Sequence, residues 1–220
     1  MKFLYIKVGP TEVKPKEFIP EGSNIEEDEV IPSFVPEIKI GLGWDMAKRG
    51  NGNVDLDGNA HILDKDGKEI GLVYYNTKNW KNLVVSGGDN LTGEGEGNDE
   101  EITIKLQDIA KKHPDVSRIV ISVTVYTNQT FSVVKNEFCN ASFKHPKTGK
   151  EVKLIDYNLD AMEELERERG IVFANIYKDA NNNWRFQPIG KPVSIESAAH
   201  PKASDARDDI EELISNLTIK

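Results

Sequence analysis

Residues 118–126 read RIVISVTVY, a run of β-branched side chains broken only by one serine and closed by a tyrosine. Branched and aromatic side chains suit the pleated surface of a strand better than the crowded turns of a helix, so this stretch reads as a strand. The same texture extends outward in both directions. EIKIGLGW from Glu37, NAHILD, IGLVYY, LVVS and EITIKL precede it, and EFCNASF, IVFANIY and WRFQPI follow it. Asp64-Lys65-Asp66-Gly67 and Lys147-Thr148-Gly149-Lys150 have hairpin chemistry, with glycine supplying the positive φ, and Asp179 to Asn183 is a third turn. About eight short strands at this spacing predict an all-β dominated fold, an antiparallel β-sandwich with one or two short peripheral helices.

Two segments carry helical patterning. Residues 160–169, DAMEELERER, put acids first and arginines last and stop at Gly170, as a short surface helix does. Near the end, Ile210, Leu213, Ile214 and Leu217 fall at i, i+3, i+4 and i+7 behind an acidic turn from Asp205, which predicts an amphipathic helix over 205–217. Such a stripe packs on its own sheet more often than on a partner. Residues 1–36 hold five of the ten prolines and the acidic run Glu26-Glu27-Asp28-Glu29, so they read as an extended arm in which Phe3 to Val8 is one added strand. The expected organisation is therefore an arm over 1–36, the sandwich over 37–192, and a tail over 193–220.

Composition narrows the function. A net charge of −9 and the lack of a clustered basic face argue against nucleic acid as a partner. Lys7 and Pro10 interrupt the short apolar start, so neither a signal peptide nor membrane insertion is expected, and a cytoplasmic location is. Cys139 is the one cysteine, which rules out an internal disulfide or a thiolate cluster and leaves it as a buried hydrophobe.

The most unusual stretch is SGGDNLTGEGEGNDEE, residues 86–101, with Asp89, Glu94, Glu96, Asp99, Glu100 and Glu101 and no positive charge. Two like charges about 5 Å apart at an effective dielectric near 20 repel by roughly 3 kcal/mol, so gathering several of these carboxylates costs on the order of a domain's stability. Either the loop stays open in solvent or a divalent cation draws it together. The carboxylates, amide oxygens and carbonyls on offer suit calcium, with its six to eight oxygen ligands, better than magnesium. Zinc and copper would call for His or Cys, which this loop lacks. Asp45 after Trp44, and Asp55 and Asp57 on one side of an extended VDLDGN, supply further acids. No segment fits the EF-hand loop, and on this physics a calcium site and a solvated loop both stay open.

GLGWD at 41–45, VDLDGNAHILD at 54–64, GGDNLTGEGEGNDE at 87–100 and YKDANNNWRFQPIG at 177–190 occur in that order, and together they resemble the TerD family of tellurium-resistance and stress proteins over roughly residues 38–192. The resemblance implies a β-sandwich that holds two calcium ions in loops at one end, without known catalytic activity. It makes Asp45, Asp55, Asp57, Asp89, Asn90, Thr92, Glu94, Asp99 and Glu100 the expected ligands or their supports, with Gly93 contributing a carbonyl. Glu96 and Asn98 stand where the family usually has Asp. The longer Glu96 can still reach an ion, whereas Asn98 removes a charge and weakens one of the two sites. Glu101 falls at a position the family often leaves uncharged. Thr127 and Asn128 replace a family His and Asp and supply only neutral oxygens.

The leading expectation is thus a non-enzymatic, calcium-binding stress-response protein that acts through other proteins, including membrane-associated stress complexes. A calcium-dependent lectin-like module is the alternative. In it Trp80, in the polar NTKNWKN, is the exposed aromatic, while Trp44 belongs to the core. A metal-dependent phosphoesterase ranks lower, because His61 alone among the four histidines adjoins an acidic segment and no nucleophile motif accompanies it. Direct chelation of tellurite is disfavoured, since a single cysteine cannot supply a soft site.

Overall fold

The computed structural model describes residues 6–8, 13–15, 29–45, 54–88, 90–93, 97–127, 129–159 and 163–193. One six-stranded antiparallel sheet contains β3 (Glu29–Val30), β5 (Leu56–Asp64), β6 (Glu69–Val73), β10 (Val116–Val125), β13 (Gly170–Lys178) and β14 (Trp184–Val193), in the order β3-β14-β13-β10-β5-β6. The facing sheet contains β4 (Ile38–Asp45), β7 (Asn79–Trp80), β8 (Val84–Ser86), β9 (Glu100–Ile104), β11 (Lys135–Lys144) and β12 (Glu151–Asn158), in the order β12-β11-β4-β9-β8-β7. β1 (Ile6–Val8) and β2 (Val13–Pro15) pair as a two-stranded antiparallel sheet of their own. The expected antiparallel sandwich is therefore the fold. It has more strands than the sequence suggests: β3 and β7 are two residues long and too short to carry a pattern of their own, and β12, EVKLIDYN, mixes charged and apolar residues too freely to stand out.

Alternation along the central strands builds the core. Leu56, Ala60 and Ile62 of β5, Ile119, Ile121, Val123 and Val125 of β10, and Ile171, Phe173 and Ile176 of β13 face Ile38, Ile40 and Leu42 of β4 and Ile102 and Ile104 of β9. Each fully buried side chain of this size contributes roughly 1.5–3 kcal/mol relative to exposure. Trp44 is 2% exposed and belongs to this cluster, and Cys139 is buried within it, so burial holds its thiol well above the ordinary range. Ile31 and Val35, just before β4, enter the same core. The turns at Gly67, Gly149 and Asn182 all take positive φ, and they close the hairpins β5–β6, β11–β12 and β13–β14.

Two expectations need correction. Trp80 is buried at 8% exposure: Gly71 on the neighbouring strand leaves room for its ring, and its indole N–H donates to the Ile70 carbonyl at 3.3 Å. The helix expected over 160–169 is, within the described residues, a single 3-10 turn at Glu163–Leu165. Leu165 turns into the core, and the carbonyls of Glu166 and Glu168 accept the N–H groups of Ser132 and Phe131 in place of helical partners. A helix instead occupies Leu106–Lys112 (α1), where only Leu106 and Ile109 are buried, too few to announce a periodicity. The helix expected over 205–217 lies outside the described residues.

Candidate metal centre

The acidic segments meet at one end of the sandwich because the strands that carry them start or stop there. Asp45 ends β4, Asp55 immediately precedes β5, Asp57 is its second residue, and Glu100 opens β9 and pairs with Leu42 of β4. Trp44 holds them together. Its backbone N–H donates to Asp99 Oδ2 at 2.9 Å, and its indole Nε1 donates to the Val54 carbonyl at 3.0 Å. Gly93, at φ +64°, lies so close that a Cβ there would sit 2.5 Å from the Trp44 ring. One buried residue thus anchors Gly93, Asp99 and the segment that leads into β5.

Within the loop, Asn90 is an organiser. Its Oδ1 accepts from the Thr92 N–H at 3.0 Å, the Gly93 N–H at 3.1 Å and the Thr92 hydroxyl at 3.3 Å, while its Nδ2 donates to Asp99 Oδ1 at 2.9 Å. An amide oxygen with three donors has little left for an ion, so in this arrangement Asn90 shapes the loop and positions Asp99. The Asp99 N–H in turn donates to the Leu42 carbonyl at 2.8 Å. Burial pushes the Asp99 carboxyl above the usual carboxylate range, the Trp44 N–H opposes that shift, and the neighbouring charge of Asp45 adds to it. Glu100 is buried, and its Oε2 accepts from the Gly58 N–H at 2.8 Å. Asp55 and Asp57 are also buried, and Asp45 is exposed.

The remaining expected residues divide. Glu101 pairs with Lys39 at 2.7 Å, away from its acidic neighbours' chemistry. Asn98 accepts from Asn140 Nδ2 at 2.8 Å, and Thr127 donates to Gln129. Asp89, Glu94, Glu96 and Asn128 lie outside the described residues. Among the described residues no three His, Cys, Asp or Glu side chains come together as an ion would require. Their donor chemistry nonetheless fits a hard cation: Asp45, Asp55, Asp57, Asp99 and Glu100 present oxygen only. His61 does not join them, because Nδ1 is 2.9 Å from Glu69 and Nε2 is 3.2 Å from Ser122.

Sequence reasoning missed the neighbours that line this pole. Burial first, then Tyr126 and the Asp57 charge, push the Tyr75 phenol up, and the Tyr75 and Tyr126 rings stand 5.3 Å apart. Asn59 Nδ2 donates to the Asp57 carbonyl at 3.2 Å and to Thr124 Oγ1 at 3.2 Å. Polar residues at alternate positions of a strand ordinarily signal a solvated face, so nothing in the one-dimensional pattern marks these as buried.

Fold and pole define an all-β sandwich with an acidic, oxygen-only donor set at one end. The TerD domain model matches residues 21–196, and the chain belongs to that family. It is 33% identical over 168 residues to Tellurium resistance protein TerZ of Serratia marcescens, covering 72% of this chain and 81% of that one. It is 32% identical over 163 residues to General stress protein 16U of Bacillus subtilis strain 168, covering 70% and 79%. The crystal structure of a homologue of telluride resistance protein (TerD) from Streptomyces coelicolor A3(2) superposes with a TM-score of 0.61 at 19% identity, over 73% of this chain and 91% of that one, which shows the shared sandwich.

Proposed function

We propose that this chain is a non-enzymatic, calcium-binding stress-response protein that works in the cytoplasm through protein partners. The observation that carries the reading is the double anchorage on Trp44, whose backbone N–H holds Asp99 and whose buried indole holds the Val54 segment. A loop with no ligand to organise has no need of that arrangement. The relatives' names, tellurium resistance and general stress proteins, support the stress role.

Asp45, Asp55, Asp57, Asp89, Glu94, Glu96, Asp99 and Glu100 would hold one or two calcium ions, with Asn90, Thr92 and Gly93 shaping or completing the site. The bound ion supplies the positive charge that these carboxylates lack. Without that charge, Asp45 and Asp99 repel each other, in the direction seen at Asp99. With it, the acidic segments close on the Trp44 anchor and present an ordered loop face to a partner. The lectin reading loses its aromatic platform, because Trp80 is buried. No helix among the described residues is long and apolar enough to cross a membrane.

Thermal unfolding against added calcium tests the proposal. A ligand that binds only the folded chain adds about 2.7 kcal/mol at a hundredfold excess over its Kd. A melting temperature unmoved by millimolar calcium would end this reading.

A further inference from the structure

In the sheet that carries β5, β10, β13 and β14, the strands β5, β10 and β13 are buried on both faces. Opposite the sandwich core, Leu63, Val120, Val172 and Val193 form a second apolar cluster, from 0% to 6% exposed, with Ile189 against it. Beside it lie Asn59, His61, Arg118, Ser122, Thr124 and Asn175, none more than 5% exposed. Among the described residues the apolar cluster draws on this one sheet alone. An antiparallel sheet normally leaves its outer face wet, and it reaches such burial only under another layer.

We infer that the tail, residues 194–220, is that layer: the Ile210, Leu213, Ile214 and Leu217 stripe lies on the Leu63–Val120–Val172–Val193 cluster. The chain leaves the sheet at Val193, itself a member of the cluster. From there residues 194–204 span up to roughly 36–40 Å when extended, and a helix over 205–217 is roughly 20 Å long, so the stripe can reach any part of a face about 33 Å deep. Charge agrees as well. Arg118 is buried with no hydrogen-bond partner at Nη1 among the described residues, and Asp205, Asp208, Asp209, Glu211 and Glu212 make the tail acidic. The described parts of the N-terminal arm lie elsewhere: β1 runs beside β12 of the opposite sheet, and β3 extends the edge of β14. The matched family domain ends at residue 196, so the stripe lies beyond the matched span.

Thiol reactivity in the full-length chain tests the inference. V120C places a thiol in the cluster, and buried Cys139 reports on the main core. In V120C alone both thiols should resist a maleimide. Adding L213D and I214D should raise the rate of the introduced thiol at least about tenfold while Cys139 stays protected, because protection tracks the free energy of opening. If the charged pair also releases Cys139, the fold has been lost, and L213A with I214A replaces it under the same criterion. An introduced thiol that reacts freely before the stripe is altered overturns the inference. So does one that stays protected after it, and protection that weakens on dilution would then assign the face to a second copy of the chain.

Discussion

Glu100 and Gly58 join the two sheets at the acidic pole. The Glu100 carboxylate, on β9 of one sheet, accepts the backbone N–H of Gly58, on β5 of the other, at 2.8 Å. The substitution E100A strands that N–H in a buried place, which costs about 1–3 kcal/mol and roughly 2–4 °C in melting temperature per kcal/mol. E100Q keeps an acceptor oxygen, so without calcium it should melt close to the wild type. With calcium it should show a smaller rise, because one ligand charge is gone. Melting curves of both variants with calcium and with chelator check this, and an E100A protein as stable as the wild type would show that the bridge does not matter.

Gly93 is held where a side chain is doubly unwelcome. Its φ of +64° disfavours any other residue, and an added Cβ would meet the Trp44 ring at 2.5 Å and the Trp44 carbonyl at 2.6 Å. G93A should therefore lose more than about 2 kcal/mol, strain and overpacking together. Gly97 also has positive φ, at +95°, but a Cβ there meets nothing within 4 Å, so G97A should lose only about 1 kcal/mol. Urea unfolding followed by tryptophan fluorescence separates the two, and equal losses would contradict the anchoring of the loop on Trp44.

Local chemistry decided how much could be read in advance. RIVISVTVY and IVFANIY are legible as strands because branched side chains dominate them. The hairpins β5–β6, β11–β12 and β13–β14 are legible because Gly67, Gly149 and Asn182 supply positive φ at fixed places. The acidic pole is legible as a set of oxygens, although its organisation by Trp44 and Asn90 depends on contacts that the order of residues does not display. What stayed hidden is whatever tertiary packing reverses. DAMEELERER looks helical until Leu165 is drawn into the core, and Trp80 looks exposed until Gly71 opposite makes room. Asn59, His61, Ser122 and Thr124 alternate with apolar neighbours as a wet face would, yet all four are buried.

His61 illustrates what that burial demands. It is 1% exposed, with Glu69 at Nδ1 and Ser122 at Nε2. H61A leaves a cavity and takes a partner from each neighbour, so it should lose about 2–4 kcal/mol. Urea unfolding of H61A is the measurement. A loss below about 0.5 kcal/mol, the range of an ordinary surface change, would mean that this face is not closed in solution.

Acid should weaken the β13–β14 turn. The Asn183 N–H holds the Asp179 carboxyl below the usual range, burial opposes this, and the Asn183 amide, the Asn181 N–H and Arg185 add to it. Asp179 Oδ1 accepts from Asn181 and Asn183 at 2.9 Å each, and Oδ2 is 3.3 Å from Arg185 Nη1. A carboxyl with a depressed folded pKa contributes stability that is fully present above the unfolded value, about 3.9, and lost as pH falls through the folded value. D179N cannot titrate and lacks the charge that Arg185 faces. It should therefore be less stable than the wild type at neutral pH, and the gap should shrink as the solution is acidified through that window. Urea unfolding of both proteins at neutral pH and down through the acid range measures the gap. A gap that holds constant would mean that Asp179 titrates alike in the folded and unfolded chains.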